Sequence, residues 1–228
     1  MKLLLVTATI KESEGLTGSL EFTRQLNKNL YRGFTGSLMC DVLVTGPGAP
    51  ATSRALTRRL ALTSYDLVIN AGICGSFRRE LVPGTAVNIV SERWADLGAD
   101  NRGEFLDLFD LGLLKENDPP YSGRKLVNPG NPFSKHFSAY PAVQGISLNK
   151  AQGEGTAIEK CIRKFDPDVE SMESAAFFEL CISGNVNFQC LRTISNFVEP
   201  RDCAKWKIEL ALERLNFELK NILSAVSE

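Results

Sequence analysis

The sequence predicts an α/β fold: a single domain in which a mixed central β-sheet is flanked by helices. Two observations carry this expectation. Short apolar, β-branched runs recur between helix-like segments, and strands alternating with helices indicate an α/β sheet. The 228 residues hold no repeat, no low-complexity tract and no dividing linker, and a chain of this length buries roughly 70 % of its unfolded surface without a metal or disulfide staple.

In chain order, the first strand is expected at Leu3 to Thr7. Its apolar run meets Lys11 and Glu12 before it can form a signal-peptide core. A helix over Gly18 to Leu30, a strand over Val42 to Thr45 and a helix over Ala51 to Leu62 follow. The next strand, Leu67 to Asn70, ends in NAGICGSF, which reads as a glycine-containing turn at the carboxyl end of a central strand; ligands sit there in open α/β sheets. After a strand at Ala86 to Ser91, prolines and glycines break the rhythm from Leu97 to Phe137, so the 1–228 domain is expected to carry a lid or insertion at about 97–137. Strands at Gln144 to Leu148 and Cys190 to Ser195 alternate with helices at Thr156 to Lys164, Glu173 to Ser183 and Ala204 to Ala225. The last helix is the clearest, because Ile208, Leu212, Leu215, Leu219 and Ile222 share one face.

Composition excludes several classes. With 26 Lys and Arg against 27 Asp and Glu, the chain has no basic excess to hold nucleic acid. No stretch approaches the roughly 20 apolar residues that cross a bilayer. Six scattered cysteines without CxxC spacing and a single histidine, His136, offer no metal set, and they fit a reduced, cytoplasmic compartment. Neither metal nor cofactor is expected. His136 lies in NPGNPFSKHF, where a solvated loop histidine is the simpler reading than a catalytic one. NAGICG and TGPGAP both fail the GxGxxG dinucleotide pattern, and Pro47 and Pro50 remove donors from a phosphate cradle.

The most informative segment is DPDVESMESAAFFELC, Asp166 to Cys181. Glu173 stands at the amino end of a mostly buried helix. Two explanations stay open: a carboxylate that favours the helix dipole, or one that accepts paired hydrogen bonds from a diol such as ribose, with Met172 as the apolar surface against the sugar.

Met172 and Glu173, taken with Glu12 after the first strand, NAGICG after a middle strand and Ile194 to Asn196 after a late one, resemble the purine nucleoside phosphorylase and nucleosidase superfamily over nearly the whole chain. ATIKE looks like its hydrolytic branch, in which a glutamate activates water; the arginine turn that holds phosphate in phosphorylases is not seen. VESMESAAFF, TISNFVEPRD and SERWADLGAD are closer to the futalosine hydrolases of the menaquinone pathway than to methylthioadenosine/S-adenosylhomocysteine nucleosidases, which have Glu-Met-Glu and Ser-Asp where this chain has Ser171-Met172-Glu173 and Ser195-Asn196.

The resemblance implies Glu12 and Asn196 as catalytic residues and Gly72, Met172, Glu173 and Ser195 as substrate contacts. It also implies a small-molecule nucleoside substrate and a homo-oligomer. Asn196 cannot protonate a purine, but its amide can donate to a 6-oxo group and accept from a protonated N7, which suits hypoxanthine better than adenine. Futalosine carries a substituted benzoate beyond the 5′ carbon, so an apolar shelf and a cation are expected, with Arg93, Arg102 and Arg201 as candidates. The competing readings are a methylthioadenosine/S-adenosylhomocysteine nucleosidase, disfavoured by Asn196, and a nucleoside-binding protein without catalysis, disfavoured by Glu12.

Overall fold

A computed structural model of the chain describes residues 1–17 and 21–227. In chain order the strands are β1 (Lys2–Thr7), β2 (Glu21–Asn27), β3 (Leu30–Thr35), β4 (Leu38–Val44), β5 (Leu67–Ser76), β6 (Ala86–Trp94), β7 (Gly98–Asn101), β8 (Glu104–Asp107), β9 (Leu126–Val127), β10 (Ala142–Ser147), β11 (Val169–Ser171) and β12 (Phe188–Phe197). The α-helices are α1 (Glu14–Thr17), α2 (Ala49–Leu62), α3 (Gly155–Phe165), α4 (Ser174–Ser183) and α5 (Ile208–Ser227). Among the described residues, nine strands run in the order β11-β10-β6-β12-β5-β1-β4-β3-β2, with β9 beside β6, and β7 and β8 form a separate hairpin. Strand β11 also pairs antiparallel with β5, so β5, β12, β6, β10 and β11 close into a ring.

Strands β1, β5 and β12 occupy the middle and are buried on both faces, the pattern of a parallel sheet covered on two sides. On one face, Ala175, Phe177, Phe178 and Cys181 of α4 pack with Leu56 of α2 against Val6, Val68 and Phe188. On the other, Leu215, Leu219 and Ile222 of α5 pack on Leu3, Leu5, Val42 and Ile69. The apolar stripe of α5 extends past the core: Leu212 is half-buried and Ile208 is 39 % exposed. No helix among the described residues is long and apolar enough to cross a membrane.

Two expectations about local structure are corrected. The helix over Gly18 to Leu30 is not formed: residues 18–20 lie outside the described residues, and β2 and β3 make an antiparallel hairpin across Lys28 and Asn29. The turn carries its own signal, since Asn27 Oδ1 accepts from the Asn29 amide at 3.0 Å, a side-chain closure typical of asparagine. NAGICG is strand rather than turn: β5 runs to Ser76, and Ala71 to Ser76 pair with Leu191 to Phe197 of β12. Its glycines serve close approach. A Cβ on Gly72 would stand 2.8 Å from Glu12 Oε1 and 3.3 Å from Arg192 Nη1.

The buried carboxylate of Asp41 clasps the edge of the sheet to a helix. Arg32 of β3 reaches it at 2.6 and 2.8 Å, Arg59 of α2 at 2.5 Å and the Tyr65 hydroxyl at 2.6 Å. Burial alone would raise the Asp41 pKa, but these donors hold it below the ordinary carboxylate value.

Candidate active site

A cavity of about 360 Å³ opens at the carboxyl ends of β1, β5 and β12, where a parallel sheet leaves room for a ligand. Glu12, Met172, Glu173, Ser195 and Asn196 line it together.

Strand β1 ends at Thr7, and the chain then turns through a short 3-10 segment, Ile10–Glu12, that swings Glu12 back over β5. Its Oε2 accepts from the Thr9 amide at 2.8 Å, and Oε1 lies 3.4 Å from the Ile73 amide. Glu12 is only 7 % exposed, and burial pushes its pKa above the ordinary value, opposed by the Thr9 hydrogen bond and the Arg192 charge. Such a carboxylate is held rigidly and thinly solvated, the condition for a base that takes a proton from water.

Glu173 does not cap α4 with its side chain. Its Oε1 instead accepts from the Gly48 amide at 2.8 Å, so the TGPGAP loop serves as an anchor for this carboxylate. Gly48 has φ of 89°, a left-handed conformation suited to glycine, and it exposes the amide that Glu173 uses. The other carboxylate oxygen has capacity for a hydroxyl donor.

The Asn196 amide is partly committed. Its Nδ2 donates to the Phe197 carbonyl at 3.0 Å, and the Ser195 hydroxyl lies 2.7 Å from Oδ1. One N–H and one lone pair remain, on opposite corners of a planar group, which is the complement of a purine edge with one acceptor and one donor. Ser195 thereby positions Asn196 from behind.

Several expected residues stand elsewhere. Gly72 lies beneath the floor and makes space for Glu12, without lining the cavity. Arg93 lines a separate small cavity with Trp94, Asp107, Phe109 and Arg124, because successive strand residues face opposite ways and its neighbour Glu92 takes the interior face. Arg102 occupies the β7–β8 turn with φ of 54°. Arg201 is exposed and reaches the cavity only indirectly, through its guanidinium 4.7 Å over the ring of Trp206, which lines it. His136 is half-buried in a short 3-10 turn and lines no part of it. Residues 97–137 supply none of the lining; they form the β7–β8 hairpin, tight turns and β9.

Sequence reasoning missed the cation that organises the floor. Arg192 is 1 % exposed in the middle of β12 and donates to Asn70 at 2.5 Å and to Ser174 at 2.9 Å. Burial opposes its charge, yet Cys190, Glu173 and Glu12 raise its pKa above the ordinary value. It stabilises the two site carboxylates from below. A hydroxyl chain continues from Ser174 to Ser171 at 2.8 Å and on to Ser147 and Glu92. Glu92 is fully buried and its pKa is pushed up to about 8 by that burial. The signal was present: an arginine inside CLRTIS and a glutamate inside NIVSERW are charges in otherwise buried strands. Lys11, also missed, lines the cavity together with Trp206, Ile208 and Leu212.

A cleft at strand ends, with two carboxylates over a buried guanidinium and an amide facing inward, defines a site for a small polyhydroxylated ligand bearing a heterocycle. The phosphorylase superfamily profile matches residues 3–227, and the chain belongs to that superfamily. Among its relatives, the futalosine hydrolase of Streptomyces coelicolor is 34 % identical over 183 residues, covering 77 % of this chain and 74 % of that protein. The futalosine hydrolase of Acidothermus cellulolyticus is 29 % identical over 94 % of this chain and 87 % of its own length. In structure, the native futalosine hydrolase of Helicobacter pylori strain 26695 superposes with a TM-score of 0.83 at 15 % identity, covering 99 % of this chain and 98 % of that one. A methylthioadenosine/S-adenosylhomocysteine nucleosidase from Colwellia psychrerythraea, in complex with adenine, gives 0.83 at 18 % identity, covering 98 % of this chain and 95 % of that one. At such identities the two structures share the fold.

Proposed function

We propose that this chain hydrolyses the N-ribosidic bond of futalosine, releasing hypoxanthine and dehypoxanthine futalosine in menaquinone biosynthesis. The observation that carries the reading is the pairing of Glu12 and Glu173 in one cavity over the buried Arg192. The family membership and the names of the futalosine hydrolase relatives support it.

In this reading Glu173 accepts from the ribose hydroxyls and Met172 packs against the sugar. As the C1′–N9 bond lengthens, its electron pair leaves with the base and the ribose gains oxocarbenium character. Glu12 takes a proton from water while the water oxygen bonds to C1′. The departing hypoxanthine takes a proton from solvent at N7; Asn196 Oδ1 then accepts from this N7–H, and Asn196 Nδ2 donates to the 6-oxo group. Glu12 then returns its proton to solvent, which completes the balance. For the benzoate, Trp206, Ile208 and Leu212 offer the apolar shelf, and Lys11 offers a cation that Arg93, Arg102 and Arg201 do not bring to the lining.

The same reading places the protein in the cytoplasm, supported by five buried free thiols. It also includes a homo-oligomer, supported by the exposed Leu97, Leu111 and Leu113 of the 97–137 insertion.

The experiment is to incubate the protein with futalosine, inosine and methylthioadenosine and follow free base. Futalosine is expected to give the highest kcat/KM. Preferential release of adenine from methylthioadenosine would assign the chain to the other nucleosidase activity, and tight binding with no base released would make it a binding protein.

A further inference from the structure

Glu173 occupies the amino-terminal cap position of α4, yet its side chain makes no cap hydrogen bond. A side chain at that position ordinarily accepts from the first helical amides. Here it is turned to the Gly48 amide and the cavity, and two serines take over the helix end. Ser171 Oγ accepts from the Ser174 amide at 3.3 Å, and Ser147 Oγ accepts from the Ala175 amide at 2.8 Å. Both serines are buried, and the β10–β11 register sets them side by side with their hydroxyls 3.4 Å apart.

Behind Ser147 stands Glu92, a carboxyl that takes no part in the proposed reaction. It is fully buried on β6, directly opposite Gly145 of β10. A Cβ on Gly145 would stand 2.3 Å from Glu92 Oε1 and 2.8 Å from its Cδ, so only glycine leaves room for the carboxyl there. Ser147 lies two residues further along β10 on the same face, and its Oγ is 3.2 Å from Glu92 Oε2. Among the described residues Oε1 has no hydrogen-bond partner, so the group is tethered through Oε2.

We propose that Glu92 is a positioning residue for ligand binding: through Ser147 it holds the amino end of α4 and thereby sets Glu173, which is left free to bind ribose. This deepens the hydrolase reading and rests on it. Burial pushes the Glu92 pKa up to about 8, so at neutral pH the carboxyl keeps its proton and works as an uncharged hydrogen-bonding group. Ionisation above that value adds a third carboxylate charge around Arg192, which already interacts with Glu12 and Glu173. The guanidinium is then shared three ways, and its hold on Glu173 weakens. The charged and titratable groups around Glu92 are Arg192 and Cys190 of β12 and Cys74 of β5, with Glu170 of β11 beyond Cys74. Burial keeps both thiols protonated through this range, and Glu170 titrates lower, at about 7.

The test is steady-state hydrolysis of futalosine from about pH 6.5 to 9.5 by the wild type, Glu92→Gln, Glu92→Leu and Ser147→Ala, with calorimetric binding of futalosine and inosine in parallel. At about pH 7, Glu92→Leu and Ser147→Ala are expected to raise KM about 10-fold with kcat little changed, because binding is lost while Glu12 and Asn196 stay in place. Glu92→Gln keeps an uncharged hydrogen-bonding group and is expected to restore the wild-type KM. Above about pH 8 the wild-type KM rises, and Glu92→Gln lacks this rise. A Ser147→Ala KM equal to that of the wild type, or an alkaline rise that persists in Glu92→Gln, would overturn the assignment. A wild-type KM that stays flat through this range would overturn it as well, with no variant needed to fold. The binding arm separates the two ideas. A wild type that frees no base but binds nucleoside with these same dependences keeps the positioning role and removes the hydrolase. Base release with a nucleoside affinity indifferent to Ser147→Ala and Glu92→Leu removes the positioning role alone, and failure to bind either nucleoside removes both.

Discussion

At the residue scale, the account turns on what Glu12 and Asn196 do. Glu12 sits against the Thr9 amide and close to Arg192 with its pKa raised by burial. Glu12→Gln keeps the shape but removes the proton acceptor, so kcat is expected to fall about 100- to 10,000-fold while futalosine binding changes little. The pH profile gives the sign. The base works only when ionised, so wild-type kcat/KM falls on acidification through a pKa above the ordinary 4.5, and Glu12→Gln loses that limb. Steady-state rates across pH check both points, and near-normal turnover in the variant removes Glu12 from the mechanism. Asn196→Asp is expected to move preference toward 6-aminopurine nucleosides by roughly 5- to 150-fold, because a carboxylic acid can protonate N7 and its second oxygen can accept from a 6-amino group. The Phe197 carbonyl, 3.0 Å from Nδ2 in the native protein, would favour the protonated acid. The ratio of kcat/KM for futalosine to that for its 6-amino analogue is the readout; an unchanged ratio means the residue does not read the base. Both residues were legible in the sequence because they belong to short motifs. The role of Arg192 was not: a charge inside a buried strand announces itself, but its partners depend on which strands lie beside it, and the pairing of β12 with β5 is what brings it to Asn70.

At the element scale, strands and helices with strong patterns were readable, and those made by pairing were not. Strand β1 and helix α5 declare themselves through continuous and periodic apolar residues. Strand β11 has three residues, and its existence depends on partners at both sides, so no local pattern announces it. Strand β2 is polar enough to imitate a surface helix, and the hairpin emerges only through its register with β3, which β4 holds in turn. What ties this edge to the body is the Asp41 cluster, where the side chain of the acid is fully buried and Arg32 is 31 % exposed. Asp41→Asn leaves the Arg32 and Arg59 guanidiniums facing a neutral group. It is expected to destabilise the fold by about 3 kcal/mol, the lower end for breaking a buried ion pair. Urea unfolding monitored by circular dichroism measures this, and a midpoint equal to the wild type would show that the clasp contributes nothing.

At the scale of the whole molecule, the sheet, its flanking helices and the cavity at the strand ends make one device. Strand β1 delivers Glu12, the loop into α2 anchors Glu173 through Gly48, β12 supplies both Arg192 below and Asn196 at the mouth, and α5 lends Ile208 and Leu212 to the wall. The α/β class was legible from the alternation of runs because burial on both faces writes apolar residues into each central strand. Closure of the ring through β11 was not, because that contact joins residues distant in sequence. The central claim is hydrolysis at this site, with water as the nucleophile activated by Glu12. The most direct measurement is chromatographic quantification of the products from futalosine in phosphate-free buffer and with added phosphate. The account predicts equal rates in both, with hypoxanthine and a free reducing sugar as products; a rate that depends on phosphate, with a ribose 1-phosphate formed, would contradict it.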